Sequence, residues 1–64
     1  MARTDYKLIA TFSGKYGIYE VRVNYRTFWN EYYIYRNMEF WKSASSPEGA
    51  TRLILDYDPS ATAI

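Results

Sequence analysis

The chain has 64 residues, is 20% aromatic and 23% charged, and carries a formal net charge of +1. That length holds one domain with a small core, because a domain of this size buries only about 60% of the surface its unfolded chain exposes. With no cysteine and no histidine, it has no disulfide, thiol nucleophile or zinc-thiolate site, and it lacks the usual general base at neutral pH.

No apolar run approaches the ~20 residues that span a bilayer, and no apolar stretch follows Met1-Ala2-Arg3-Thr4-Asp5 as it would in a signal peptide. The expectation is a soluble, cytoplasmic protein without a membrane partner. A near-zero charge speaks against strong nonspecific nucleic-acid binding, which goes with a markedly basic surface. Eight tyrosines, three phenylalanines and two tryptophans are more aromatic surface than so small a core can hide. Exposed aromatics mark interfaces.

Residues 5–12 alternate, with Tyr6, Leu8, Ala10 and Phe12 on one face, which predicts a strand. Ser13-Gly14-Lys15-Tyr16 reads as a turn. Its two glycines and lysine lack both the spacing and the following helix of a phosphate-binding loop. A second strand over 17–26 places Tyr19, Val21, Val23 and Tyr25 on one face. A four-residue turn pairs Ala10 with Tyr19 and Leu8 with Val21, so the apolar faces coincide. This register sets Lys7 opposite Arg22, and like charges across a ladder destabilise it.

Thr27-Phe28-Trp29-Asn30 is the next reversal. A tight turn at Trp29-Asn30 pairs Tyr25 with Ile34 and starts a third strand over 31–36. Asn37-Met38 is a second tight turn, although Met suits positive φ poorly. It pairs Arg36 with Glu39, Tyr35 with Phe40 and Ile34 with Trp41 in a fourth strand over 39–44. Ser45-Ser46-Pro47-Glu48 then looks like a capping box, with Ser45 as the cap and proline in the first turn. Ala50, Leu53, Ile54 and Tyr57 follow at helical spacing over 46–57. Pro59 ends the helix, and 59–64 is expected as a flexible tail.

The predicted fold is α+β, one domain over 1–58: a four-stranded antiparallel meander with a single helix on one face. The other face stays open, as antiparallel sheets permit. It is expected to carry Tyr33, Tyr35 and Phe40, with Arg22, Arg26 and Lys42 beside them. Phe28-Trp29 sits at a loop tip, either as an apolar anchor for a partner pocket or folded back over the sheet edge. These eight residues are the candidate partner-binding set. Aromatic pairs on a wet face also stabilise a sheet on their own, which is the plainer reading of the same pattern.

Two chemistries suit such a face. Tyr and Arg supply stiff amphipathic area to a protein partner. Exposed rings can instead stack on unpaired bases while cations meet phosphates. Residues 1–47 carry seven basic and four acidic side chains, net +3, a shallow potential once Glu20, Glu31 and Glu39 are interspersed. A protein target therefore ranks first and nucleic acid second. Self-association through the open face, as a homodimer, is a third reading.

Catalysis is not expected. Ser43, Ser45 and Ser46 have no histidine to activate them, and one sheet with one helix leaves little room for a reaction cleft. Asp56-Tyr57-Asp58 places two carboxylates too few to cage a metal, so it reads as a solvated helix exit, and no cofactor is implied. The expectation is a small binding module, an inhibitor or adaptor that masks a surface of a larger protein. Its size and style match modules that phages and mobile elements direct against host machinery.

Overall fold

The computed structural model describes residues 6–64, so the expected start of the first strand at residue 5 lies outside the described residues. The elements are β1 (Lys7–Gly14), β2 (Gly17–Tyr25), β3 (Asn30–Arg36), β4 (Glu39–Ala44), α1 (Pro47–Tyr57) and β5 (Thr62–Ala63). The strands form one antiparallel sheet in the order β4-β3-β2-β1-β5. The predicted α+β meander with one helix is therefore the observed fold, with a short fifth strand added.

That fifth strand replaces the expected tail. Ala63 pairs with Phe12 and Thr62 with Ser13, and the Ile64 amide donates to the Thr11 carbonyl at 2.9 Å. Ala61 is buried. Pairing half of β1's outer edge satisfies backbone groups that would otherwise stay open.

One face of the sheet carries the core. Phe12, Tyr19, Val21 and Ile34 pack with Ala50 and Ile54 of α1 and with Ala61. Burying each large apolar side chain here contributes about 1.5–3 kcal/mol. Ala50 and Ile54 lie four apart and form the buried stripe of α1. The helix begins one residue later than a Ser45 cap would place it. Pro47 occupies the first turn, and Ser46 is the cap, with extended φ −150° and ψ 158°. The residue before a proline is pushed into that region. Its hydroxyl accepts from the Gly49 amide at 2.9 Å, so Ser45 and Glu48 do not make the predicted box.

Two strand registers are shifted from the alternation-based ones. Gly14 pairs with Gly17, Phe12 with Tyr19 and Ala10 with Val21, two residues from the predicted pairing. The loop is only Lys15-Tyr16. Tyr25 pairs with Asn30 and Val21 with Ile34, four residues from prediction. Both shifts are even, so the buried face is preserved; alternation cannot detect them. At the Asn37-Met38 turn the predicted pairs Arg36–Glu39 and Tyr35–Phe40 are observed. Both turn residues have positive φ, 52° and 74°.

Two irregularities matter more. One residue, Ile9, is inserted between the Leu8–Arg22 and Ala10–Val21 pairs. Leu8 thus moves off the predicted helix face, and Lys7 faces Val23. The like-charge pair Lys7–Arg22 does not form. In β4 the register shifts between Ile34 and Tyr35, so that Ile34 pairs with Lys42. This bulge lets Trp41 pack on the helix side against Tyr19 and Tyr57 and takes Lys42 away from the open face. Bulges of this kind also bend and blunt an edge strand.

Candidate functional site

Helix α1 leaves the face built from Glu20, Arg22, Tyr33, Tyr35 and Phe40 uncovered. Tyr33 and Tyr35 of β3 alternate with the core residue Ile34, and Phe40 stands across from Tyr35. Tyr6 stacks on Tyr33 with centroids 5.2 Å apart, and Phe40 meets both Tyr33 and Tyr35 edge-to-face at 6.0 Å. The four rings line a depression of about 250 Å³. Beside it Ile18, Glu20, Asn37 and Met38 line a second of about 370 Å³.

This face is more self-contained than alternation suggests. Tyr35, expected in solvent, is only 6% exposed, with the Phe40 ring edge-on to it at 6.0 Å. Arg22 is half-buried, bonds Glu20 at 3.1 Å and donates to the Tyr6 carbonyl at 2.9 Å. Its charge is met within the face, as carboxylate pairing at short range dictates. Lys42 is exposed on the other side, its ammonium 5.1 Å from the Trp41 ring centre. The structure thus groups Tyr33, Tyr35, Phe40 and Arg22, and removes Lys42 from them.

Arg26, Phe28 and Trp29 belong to a different place. Asn24–Glu31 and Tyr25–Asn30 are the last β2–β3 pairs. Among the described residues neither β1 nor β4 reaches them, since those strands stop at Val23 and Tyr32. The hairpin end therefore projects past the helix-covered part of the sheet. Tyr25, predicted on the helix face, is 62% exposed for that reason, Trp29 is 56% exposed and Phe28 88%.

Glu31 orders this tip. Its carboxylate accepts from Arg26 Nε at 3.2 Å, Trp29 Nε1 at 3.4 Å and the Tyr33 hydroxyl. The Arg26 amide donates to the Trp29 carbonyl at 2.9 Å and closes the turn. The Tyr33 and Trp29 hydrogen bonds hold the Glu31 carboxyl below its ordinary range, and the Glu31 bond raises the Tyr33 phenol above its own. Trp29 is pinned by its indole nitrogen rather than folded over an edge, and Phe28 stands at the apex.

The opposite end holds a group that alternation and motif both missed. Asp58, expected as a solvated helix exit, is 1% exposed. It accepts from the Tyr16 amide at 2.9 Å, the Tyr19 hydroxyl at 3.0 Å and the Ser60 hydroxyl at 2.6 Å. Ser60 in turn accepts from the Lys15 amide at 3.0 Å. Burial alone would raise the Asp58 carboxyl, but these donors hold it at about 2. Burial and the bond to Asp58 push the Tyr19 phenol up to about 12. The only signal in the sequence was a carboxylate at a helix C-terminus, where the helix dipole disfavours it.

No family model matches this chain, and neither a curated protein nor a solved structure matches it. The fold class rests on the sheet and helix themselves: a small antiparallel α+β domain with its single helix packed on one sheet face and an aromatic hairpin tip. Among the described residues no helix is long and apolar enough to cross a membrane.

Proposed function

We propose that this chain is a non-enzymatic binding module that masks a surface of a larger protein, as an inhibitor or adaptor, and that the β2–β3 tip is its anchor. The observation that carries the reading is the exposure of Phe28 at 88% and Trp29 at 56% on a turn tied down by Glu31. Large aromatic side chains held in one geometry lose little entropy on docking, and such residues dominate interface energetics. The convex tip suits insertion into a concave site on the partner. Nucleic acid has weaker support, because Arg22 and Arg26 both have carboxylate partners at 3.1–3.2 Å and each contact with phosphate would have to displace one.

The test is capture of partners by the immobilised chain from a nuclease-treated lysate, alongside the double variant Phe28→Ser/Trp29→Ser. The expected result is a protein bound by the parent chain and lost by a variant with an unchanged melting temperature. Anisotropy with single- and double-stranded oligonucleotides at low salt addresses the alternative. Steeply salt-dependent binding that Arg22→Ala and Arg26→Ala abolish would replace the protein reading with nucleic acid.

A further inference from the structure

We infer that a row of rings on the helix side of the molecule binds a short single strand of nucleic acid, with bases stacked on the rings and phosphates held by three cations. The site is separate from the β2–β3 tip and independent of the role proposed for it.

The row runs Tyr16, Tyr57, Trp41. Tyr57 ends α1, Tyr16 lies in the β1–β2 turn, and the β4 bulge brings Trp41 to this side. The Tyr57 ring centre is 5.1 Å from that of Tyr16 and 5.0 Å from that of Trp41. Tyr16 is 43% exposed and Tyr57 44%. A cation stands at each ring: Lys15 is 5.6 Å from the centre of Tyr16, Arg36 5.4 Å from Tyr57 and Lys42 5.1 Å from Trp41. Tyr6, where the described chain begins, is remote from this row. It stacks on Tyr33 on the opposite face, level with Arg22.

Charge separates this patch from the rest of the molecule. Arg22 and Arg26 are occupied by Glu20 and Glu31. Among the described residues Lys15, Arg36 and Lys42 make no ion pair, although Glu39 faces Arg36 across the β3–β4 ladder. Ring contacts hold an exposed cation weakly, and a phosphate oxygen binds it more strongly.

The two features together select the ligand. An acidic peptide would meet the cations and leave the rings without partners. An uncharged aromatic peptide would do the reverse. A chain that alternates flat rings with anions satisfies both, and single-stranded nucleic acid is such a chain. Every base has a π-face, so tyrosine and tryptophan rings accept bases with little sequence preference. Three cations set a short footprint of about three phosphates, and a slope of log affinity against log salt near −2.

Fluorescence anisotropy with a labelled oligothymidylate of about ten nucleotides tests this. The expected result is binding that weakens about twentyfold from about 50 to about 200 mM salt. An abasic oligomer of the same length should bind at least about tenfold more weakly, because it has nothing to stack. Lys42→Gln and Tyr16→Leu should each weaken binding at least about fivefold while leaving the fold intact by circular dichroism, and Tyr16→Phe should preserve it. Arg22→Ala and Phe28→Ser should leave it unchanged, which separates this site from the sheet face and from the tip. In Trp29→Phe the one remaining tryptophan is Trp41, and its fluorescence should be quenched as the strand binds. No binding at low salt, equal affinity for the abasic oligomer, equally strong binding of an oligoglutamate peptide, or loss through Arg22→Ala with none through Lys42→Gln would each overturn the inference.

Discussion

At the β1–β2 turn, the Tyr16 amide donates to a carboxylate 42 residues away in sequence. At the β2–β3 turn, the chain serves itself through Glu31, within five residues of every side chain it holds. The first end is stitched by β5, α1 and a buried Asp58, and its order depends on the whole fold. The second end projects beyond its neighbours with aromatic rings in water. A small domain keeps such a tip ordered through local bonds, since among the described residues no third element covers it. Long-range ties hold the structure together at one end, and short-range ties present a surface at the other.

Breaking the stitched end should cost most. Asp58→Ala leaves the Tyr16 amide, Tyr19 hydroxyl and Ser60 hydroxyl without their acceptor. A fall in melting temperature of roughly 10 °C or more is expected for a domain this small, read by circular dichroism. Gly14→Ala should rank close behind, because a Cβ there would enter the space of the Asp58 carboxylate and press on the Ala61 backbone. If both variants melt like the parent, the stitched end is not what limits stability.

Acid sharpens the same contrast. The Asp58 carboxyl lies near 2 in the folded chain against an ordinary 3.8. Between those values the unfolded state binds more protons, so Asp58's contribution is complete above about pH 4 and is lost as pH falls toward 2. Asp58→Asn should flatten that part of the stability profile, as measured by urea unfolding across acid pH. Tyr19 behaves oppositely in sign: its phenol is raised from 10.0 to about 12, so its contribution is complete below pH 10 and lost as pH climbs from 10 toward 12. Tyr19→Phe should remove that alkaline loss.

Smaller effects are expected where neighbours are few. Met38→Gly relieves a positive φ of 74° and should stabilise the fold by about 1 kcal/mol. Phe28→Ser should change folding stability by no more than about 0.5 kcal/mol, because a side chain this exposed packs against little. A large loss on Phe28→Ser would show the tip to be structural and would erase the difference between the two ends.

Much of the fold was legible in advance. The faces of Tyr19, Val21 and Ile34 follow from alternation, the Asn37-Met38 turn from its length between strands, and the helix from Pro47 and the Ala50–Ile54 spacing. The open face of Tyr33 and Phe40 was legible as well. Alternation tests only whether a residue number is odd or even, so shifts of two and four between strands passed unseen. Bulges at Ile9 and Trp41 do change that parity, and they relocated Leu8 and Lys42. Neither carries a glycine or proline to announce it.

What the residues determined alone is a sheet with one apolar side, one amphipathic helix to cover it and an excess of rings, since these depend on periodicity and composition. Tertiary structure decided the length of the first turn, the docking of residues 59–64, the burial of Asp58 and the protrusion of Phe28. The first three depend on donors and acceptors far apart in the chain finding one another, and the last on where the strands flanking the β2–β3 hairpin stop; neither is written in any local stretch.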